Sequence, residues 1–510
     1  MAFPKPRQSH HLSFLYPPLL RRFCSLPPPS PRDESDAELI SKLLLQHHNP
    51  FHATESPLQL HGITLTPTLL FHTLLRLKNH SKIALSLFHY AKTLPNPPLS
   101  HSSFTLLIDT MAKVRQFDVA WQLIVEMDQR HHLTPTPSTF LTLIRRLICA
   151  GLTRQAVRAF HDIDAFSETK TTPQDFCVLL DTLCKYGHVR LAVEVFNKNK
   201  HTFPPTVKMY TVLIYGWCKI GRIKTAQSFL NEMIDKGIEP NVVTYNVLLN
   251  GVCRKVSLHP EERFERTIRN AEEVFDQMRE SGIEPDVTSF SILLHVYSRA
   301  HKPQLVLDKL SLMKEKGICP NVVMYTSVIK CLASCGWLED AERLLGEMVR
   351  DGVSPCAATY NCFFKEFRGR KDGESALRMF KRMKEDGLCM PSSHTYVILI
   401  RMFLRLDMIK VVKEIWQDMK ETGAGPDLDL YTVLIHGLCE RQRWREACHY
   451  FVEMIENGFL PLKGTFESLY RGLIQADMLR TWRRLKKKLD EESITFGSEF
   501  QNYQLKPYRR

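Results

Sequence analysis

The sequence contains no CxxC pair, no Gly-rich phosphate loop and no nucleophile elbow, although it has 510 residues and 14 cysteines. The missing CxxC spacing argues against a zinc site and against a disulfide framework. Four cysteines, Cys184, Cys218, Cys253 and Cys439, recur at one equivalent position on apolar helical segments, which predicts buried thiols in a reducing compartment. Cys331 and Cys335 are spaced wrongly for a zinc pair, and we expect both to pack in the core.

Acidic residues are absent from the first 32 positions, whereas Lys5, Arg7, Arg21, Arg22 and Arg32 supply positive charge among serines. This composition is typical of an organelle transit peptide. The apolar runs in this segment are too short and too often broken by proline to span a membrane. The run RRFCS at residues 21–25 is similar to a plant mitochondrial processing site. The segment therefore predicts a mitochondrial destination, with the chloroplast as the alternative.

The excess of positive charge is confined largely to the two ends of the chain. The formal net charge is +13 and the hydrophobic content is 44%. That hydrophobic content is enough for a buried core and argues against disorder throughout. The basic residues in excess lie in the N-terminal segment, in RTWRRLKKKLD and in the KPYRR tail. The global charge alone is thus a weak argument for a nucleic-acid partner.

Proline and glycine are placed at regular intervals from residue 237 to residue 461. The prolines from Pro240 to Pro461 recur about every 35 residues, apart from a longer first interval, and a glycine stands about three residues before each. A glycine followed by a proline ends a helix and prevents its continuation. Between these stops lie two helix-length segments, the first with apolar residues at helical spacing.

The second segment repeats an alanine and a methionine in register. Alanine permits close approach of helices and methionine fills the gap between repeats, so we expect both sets in the core. The alanines are Ala120, Ala156, Ala192, Ala226, Ala271, Ala341, Ala376 and Ala447. The methionines are Met127, Met233, Met278, Met313, Met348, Met383, Met419 and Met454. A two-helix unit cannot bury its apolar faces alone, so the pattern predicts an all-α solenoid of stacked helix pairs.

The repeat divides the chain into successive segments. Residues 1–32 are expected to be the transit peptide, 33–66 a linker or cap, 67–100 a degenerate repeat, 463–497 a C-terminal repeat or cap, and 498–510 a tail. Ten repeats are expected at 101–136, 137–172, 173–206, 207–241, 242–286, 287–321, 322–356, 357–392, 393–427 and 428–462. The repeat that starts at Val242 has an insert within RKVSLHPEERFER, which we expect to be a surface loop.

The consensus of the units is Val-x-Thr-Tyr-Asn-x-Leu-Ile-x-Gly-x-Cys-Lys-x-Gly, then the alanine and methionine, then Gly-Ile-x-Pro-Asp/Asn. The tetratricopeptide, ankyrin and leucine-rich signatures are missing. From about residue 67 to 497 the pattern closely resembles the pentatricopeptide repeat, of the P class found in plant organelles. The resemblance implies a right-handed superhelical α-solenoid that binds single-stranded organellar RNA with one base facing each repeat.

In that family, base choice is carried by the residue after the first-helix aromatic together with the last residue of the repeat. The positions matched here are Thr211, Asn241, Asn246, Asp286, Ser291, Asn321, Thr326, Asn361, Ser392, Val397 and Asp427. The resemblance assigns adenine to Thr211 with Asn241 and to Ser291 with Asn321, uracil to Asn246 with Asp286, and cytosine to Asn361 with Ser392. The resemblance therefore implies an RNA target that contains A-U-A-any-C, written from 5′ to 3′.

Other pairs depart from the family's pattern and have no base assignment. These are Thr326 with Cys356, Val397 with Asp427, Thr432 with Leu462, Thr105 with Thr136, Leu141 with Thr172, and Cys177 with Thr206. For any single pair, an ordinary solvated helix residue is the alternative interpretation.

Two further sets are implied by the resemblance. Val243 and Val323 are similar to the small apolar residues that sandwich bases between repeats, whereas Lys208 and Asp429 break that pattern. Basic residues recur near the end of the first helix and could meet phosphate, or could simply be solubilising surface charge. They are Lys113, Lys185, Lys219, Arg254, Arg299 and Arg405.

No motif in the sequence supports catalysis or a cofactor. Some relatives in the family carry a zinc deaminase, and His259-Pro260-Glu261 matches its first element, but no P-C-x-x-C completes the site. We therefore expect a monomeric RNA-binding protein with no enzyme activity, no cofactor, no metal and no membrane partner. The alternatives are a helical scaffold for protein interactions and an editing factor that acts with a deaminase in trans.

Overall fold

The computed structural model describes residues 31–46, 64–131, 133–254, 262–423 and 425–491. Every secondary-structure element in these ranges is a helix. Residues 1–30 of the expected transit peptide, the insert residues 255–261 with His259-Pro260-Glu261, and the tail lie outside the described residues. None of the described helices is long and apolar enough to cross a membrane.

The chain divides into two compact units, Met1–Gly251 and Val252–Arg510. The first unit contains α1 (Pro31–Gln46), α2 (Pro67–Arg76), α3 (Ser81–Thr93), α4 (His101–Lys113), α5 (Phe117–His131), α6 (Pro137–Cys149), α7 (Thr153–His161), α8 (Ile163–Phe166), α9 (Pro173–Lys185), α10 (Val189–Lys198), α11 (Val207–Lys219), α12 (Ile223–Asp235) and most of α13 (Val242–Arg254).

The second unit begins within the last turn of α13. It contains α14 (Glu262–Glu280), α15 (Val287–Arg299), α16 (Pro303–Glu315), α17 (Val322–Ser334), α18 (Leu338–Arg350), α19 (Ala357–Arg370), α20 (Gly373–Glu385), α21 (Ser393–Arg405), α22 (Ile409–Glu421), α23 (Leu428–Glu440), α24 (Trp444–Glu456), α25 (Lys463–Gln475) and α26 (Leu479–Glu491).

Within each unit the helices are stacked as pairs. A first helix packs against its own second helix and against the first helix of the next pair, as α9 does with α10 and α11, and as α17 does with α18 and α19. This confirms the predicted all-α solenoid. Each repeat is named below by the first residue of its first helix, so the Val207 repeat comprises α11 and α12.

Local sequence signals set both ends of these helices. Most first helices follow a residue whose side chain accepts a hydrogen bond from the helix start, for example Thr206 before α11 and Asp427 before α23, whereas Leu462 before α25 makes no such bond. The second helix α12 ends at Gly237, which has φ of 70°. The Gly237 N–H then donates to the Ile234 carbonyl and the Ile238 N–H to the Met233 carbonyl, which closes the helix end.

The predicted core is confirmed. All eight alanines of the repeated position are fully buried, and the eight methionines are 0–1% exposed. The first-helix aromatics, from Phe104 to Tyr431, are buried beside them. Cys184, Cys218, Cys253 and Cys439 are buried as well, and they are free thiols.

A glycine late in the first helix allows neighbouring repeats to approach closely. A Cβ at Gly251 in α13 would lie 2.3 Å from Cys218 Sγ and 2.5 Å from Cys218 Cβ in α11. A Cβ at Gly216 would lie 2.7 Å from Cys184 Sγ in α9. The paired glycine and cysteine therefore form a direct contact between adjacent first helices.

Two expectations from the sequence were wrong in part. Cys331 is buried, but Cys335 is only half-buried because it caps the C-terminus of α17, and its Sγ lies 3.9 Å from His301 Nδ1. The insert of the Val242 repeat is not only a loop, since its last residues extend α14 to 19 residues. Glu and Arg are residues that favour helix. Glu265 in this extension forms an ion pair with Lys302, with 3.3 Å between Glu265 Oε1 and Lys302 Nζ. Ala271 and Met278 keep their register.

Candidate nucleic-acid interface

Five of the expected base-reading residues are N-caps of first helices: Asn241, Asp286, Asn321, Ser392 and Asp427. Asn241 Oδ1 accepts from the Thr244 N–H at 3.0 Å, and Asn321 Oδ1 accepts from the Met324 N–H at 3.0 Å. Asp286 Oδ1 accepts from the Ser289 N–H at 2.8 Å. Asp427 Oδ1 does the same with the Leu430 N–H at 2.8 Å. Asn241, Asp286 and Asn321 are exposed to solvent and Asp427 is half-buried.

This capping bond fixes which atom of each side chain can meet a ligand. A backbone N–H can only donate, so the side-chain atom that faces it must be an oxygen. In Asn241 and Asn321 the second atom is then the amide nitrogen, which donates. In Asp286 and Asp427 the second atom is an oxygen, which accepts. The same position of the fold thus presents opposite hydrogen-bonding characters in different repeats.

The other expected base-reading residues occupy the fifth position of their first helices. Each follows a buried aromatic such as Tyr210 or Tyr360. Thr211, Ser291, Thr326 and Val397 are half-buried, whereas Asn246 and Asn361 are only 8% and 5% exposed. These side chains are held by the packing of the first helices and have little freedom of their own.

In the Val207 repeat the structure brings the two members of the expected pair together through a third residue. The Thr211 hydroxyl lies 2.7 Å from the Thr244 hydroxyl, which lies 3.1 Å from Asn241 Oδ1. The Val322 repeat repeats the arrangement, with Thr326 2.8 Å from Thr359 and Thr359 3.5 Å from Cys356 Sγ. We did not single out Thr244 or Thr359 from the sequence, although a hydroxyl three residues after an N-cap is a capping-box signal.

In the other expected base-reading pairs, the hydrogen bonds and the residue at the bridging position are different. Ser392 exchanges hydrogen bonds with Thr395 in a capping box, whereas Asn361 Oδ1 is buried with no hydrogen-bond partner among the described residues. In the Val287 repeat the bridging position is Met324, which has no hydroxyl. In the Ser393 repeat both Val397 and the bridging Leu430 are apolar.

The two expected base-sandwiching valines are exposed. Val243 is 47% exposed and Val323 is 66% exposed, although both belong to helices whose other apolar residues are largely buried. An exposed branched side chain next to the capping residue is available to pack against a flat ring.

The expected phosphate-contacting residues are all exposed last residues of first helices: Lys113, Lys185, Lys219, Arg254, Arg299 and Arg405. Several contact the preceding repeat. Lys113 Nζ donates to Asn79 Oδ1 at 2.8 Å, and Lys219 Nζ donates to the Lys185 carbonyl at the end of α9. Arg441, which was not predicted, donates to the Arg405 carbonyl in the same way. Lys219 and Arg441 therefore stabilise the C-terminus of the neighbouring first helix in this structure.

Three of the cysteines that recur at the equivalent position are poor nucleophiles. Burial raises the pKa of Cys218, Cys253 and Cys439 to about 12, so these thiols stay protonated at neutral pH. Within the part of the chain that the structure describes, no group of three or more His, Cys, Asp or Glu side chains is placed to hold a metal ion.

Comparison with known proteins identifies the family. The PPR repeat family model matches residues 205–254, 320–369 and 355–405. The pentatricopeptide repeat domain model matches 265–300 and 273–334, and a further PPR repeat model matches 394–423 and 429–459.

Two relatives from Arabidopsis thaliana are pentatricopeptide repeat-containing proteins named as mitochondrial. One is 60% identical over 483 residues, which is 94% of this chain and 94% of the relative. The other is 29% identical over 453 residues, which is 88% of this chain and 74% of the relative.

The fold is also similar to a solved structure, the pentatricopeptide repeat protein PPR10 in complex with an 18-nt psaJ RNA element. The TM-score is 0.50 at 19% identity, over 92% of this chain and 78% of PPR10. At this level of identity the likeness supports the solenoid fold alone. Together with the 60% identity over nearly the whole length of the Arabidopsis relative, these matches establish that the chain belongs to the pentatricopeptide repeat family.

Proposed function

We propose that the chain binds single-stranded RNA sequence-specifically in mitochondria and acts in RNA metabolism by occupying its target segment. Occupation of that segment could stabilise a transcript, or support its processing, splicing or translation. The predicted mitochondrial location agrees with the names of both Arabidopsis relatives. The protein would act as a monomer and by binding, without a catalytic step or a cofactor. We assign the ten segments from 101–136 to 428–462 as its repeats.

The observation that carries this proposal is the alternation of capping residues between donor and acceptor. Asn241 and Asp286 occupy the same position, and each uses Oδ1 to cap a helix. Asn241 then offers an amide N–H, which suits the acceptor N1 of adenine. Asp286 offers an oxygen, which suits the N3–H of uracil. Such alternation from one repeat to the next along the sequence is what base-by-base reading of Watson–Crick edges requires.

The test is binding of the full chain to short single-stranded RNAs that carry A-U-A-N-C, with each base exchanged in turn. We expect the wild type to prefer uracil over cytosine at the second position by about tenfold, because one base-edge hydrogen-bond pattern is worth about 1–3 kcal/mol. Asp286→Ser should reverse that preference toward cytosine. Ser remains a good N-cap, so the exchange should leave the helix intact.

Asp427→Ser is the matched control. Asp427 caps α23 as Asp286 caps α15, but its partner position is Val397, which offers no polar group. This variant should leave the uracil preference unchanged. If the wild type binds all the RNAs equally, base reading is wrong, and a groove that binds a protein partner becomes the better explanation.

A further inference from the structure

A third residue contacts both members of the expected reading pair at three repeat junctions. The third residues of first helices, Thr139, Thr244 and Thr359, are fully buried. Their hydroxyls lie 3.1, 2.7 and 2.8 Å from the hydroxyls of Thr105, Thr211 and Thr326 in the preceding repeat. Each also contacts its own N-cap: Thr136 at 3.3 Å, Asn241 Oδ1 at 3.1 Å and Cys356 Sγ at 3.5 Å.

The proton count at the Thr211 junction restricts what Thr211 can present to a ligand. Thr211 Oγ1 lies 2.8 Å from the Val207 carbonyl and 2.7 Å from Thr244 Oγ1. A threonine hydroxyl has one proton, which goes either to that carbonyl or to Thr244. In both arrangements the proton is used inside the protein. Thr211 therefore presents lone pairs only, and it is an acceptor toward any ligand.

Asn241 presents the complementary group. Its Oδ1 is held by the Thr244 N–H and hydroxyl, which leaves the amide N–H groups to donate. The Val207 junction thus offers one acceptor and one donor side by side. The Watson–Crick edge of adenine has a donor at N6 and an acceptor at N1, whereas guanine has an acceptor at O6 and a donor at N1. The arrangement matches adenine and opposes guanine.

We propose that the Thr244 hydroxyl is a specificity-determining positioning group, which fixes Thr211 as an acceptor and so makes the Val207 repeat discriminate adenine from guanine. Thr244 itself does not touch the base. It acts through Thr211 and Asn241, and Thr359 has the same role toward Thr326. This inference rests on the proposed reading of RNA bases and adds a residue that the two-residue pairing does not include.

The Val287 repeat supplies a natural comparison. Its pair, Ser291 with Asn321, has the same expected base, adenine, and Asn321 caps α17 with Oδ1 as Asn241 caps α13. The bridging position is Met324, whose side chain has no hydroxyl to accept the proton of Ser291 as Thr244 can accept that of Thr211. Ser291 is therefore free to rotate its proton toward a base, and this repeat should tolerate guanine better than the Val207 repeat does.

The experiment measures the affinity ratio for adenine over guanine at the first and third positions of A-U-A-N-C, with the full chain. Thr244→Val keeps the shape of the side chain and removes the hydroxyl. It should lower the ratio at the first position about fivefold, the factor that one neutral hydrogen bond contributes. Thr244→Ser should retain the ratio. Met324→Thr should raise the ratio at the third position by a similar factor.

Two further readouts separate this role from a structural one. The uracil preference at the second position and the thermal unfolding midpoint should be unchanged in Thr244→Val, because the N-cap bond from the residue 244 N–H remains. If the wild type discriminates adenine from guanine while Thr244→Val and Met324→Thr both leave the ratios as they were, this inference alone is overturned. If the wild type discriminates no base at any position, the proposed function and this inference both fail.

Discussion

At the scale of single residues, the N-cap side chain of a first helix serves two purposes: it caps the helix and, in the proposed function, it contacts the RNA base. The start of a helix exposes backbone N–H groups, so the oxygen of an N-cap must face them whatever the ligand is. In Asn241 and Asp286 the helix therefore fixes the orientation of the side chain. A side chain that is already fixed loses little conformational entropy when RNA binds. This explains why the variable last residue of the repeat is so often Thr, Ser, Asn or Asp.

The sequence could predict where these side chains lie but not how they are connected. Asn241 and Asp286 were found because capping is local and the repeat places them at fixed spacing. The contact of Thr211 with Thr244 joins two helices, and only packing determines that the hydroxyls meet at 2.7 Å. The bond of Lys219 to the Lys185 carbonyl was missed for the same reason. Contacts between repeats depend on the distance between helices, which the periodicity of one helix does not contain.

A prediction at this scale concerns the ion pair of Asp109 with two arginines. Arg146 donates to both oxygens of Asp109 at 2.8 and 2.7 Å, and Arg145 donates at 3.0 Å. Burial would raise the pKa of Asp109, but the hydrogen bonds and charge of Arg146 and Arg145 outweigh it and hold this pKa below 3.8. We expect Asp109→Asn to lower the free energy of unfolding by about 2 kcal/mol at pH 7.

The pH dependence of this effect follows from the sign of the shift. A carboxyl whose pKa is lower in the folded state stabilises the fold fully above its ordinary value near 3.8, and the stabilisation is lost as the pH falls through the folded-state value. Thermal unfolding of wild type and variant from pH 7 to pH 3 should show the difference shrinking below pH 4. Asp276→Asn, at an exposed pair with 3.9 Å between Asp276 and Arg279, should change little at any pH. A difference at pH 3 as large as that at pH 7 would contradict this origin.

At the scale of helices, the strength of the local signals decided what could be predicted. Most first helices begin at capping residues, and the second helices from α12 to α24 end at a glycine followed by proline, so the bounds of these helices were evident from sequence. In the insert of the Val242 repeat, Glu262, Glu265 and Arg266 belong to α14, whereas a loop was expected there. The helix α1 was not foreseen either, although Ala37, Ile40 and Leu44 are buried at helical spacing.

The close contact between adjacent first helices makes a prediction at this scale. Gly251→Ala places a Cβ 2.5 Å from Cys218 Cβ and 3.4 Å from its Cα, so the backbones must move apart. We expect a loss of about 1–3 kcal/mol, as for other overpacked cores. Gly346→Ala is the matched control, since Gly346 lies inside α18 and, beyond its chain neighbours and the backbone of its own helix, nothing in the described structure comes within 4 Å of the added Cβ. That variant should be neutral or should gain up to about 1 kcal/mol from helix propensity. Thermal unfolding followed by circular dichroism compares the two, and equal midpoints would show that the close approach has no energetic consequence.

At the scale of the whole chain, the distribution of charge limits how RNA can be held. The net charge of +13 lies largely toward the ends of the sequence, so the repeats do not form a uniformly basic surface. The second helix of the last pair, α26, is strongly basic, with Arg480, Arg483, Arg484 and Lys486 exposed. An attraction due to net charge alone would involve such residues wherever they lie. Phosphate contacts within the repeats would instead involve the cations that end the first helices.

Ionic strength distinguishes these two origins and also tests whether the partner is a nucleic acid. The logarithm of affinity for A-U-A-N-C RNA should fall linearly with the logarithm of salt concentration, with a slope of about −0.7 for each phosphate neutralised in single-stranded RNA. Lys219→Gln should reduce the magnitude of that slope by about 0.7, since Lys219 can leave the exposed Lys185 carbonyl for a phosphate. Arg484→Gln removes the same charge from α26 and should leave the slope nearly unchanged, because salt screens charges beyond about 8–10 Å. Equal reductions of the slope in the two variants would mean that net charge binds the RNA backbone, and not the cations that end the first helices. A slope near zero in the wild type would exclude phosphate contacts and favour a protein partner.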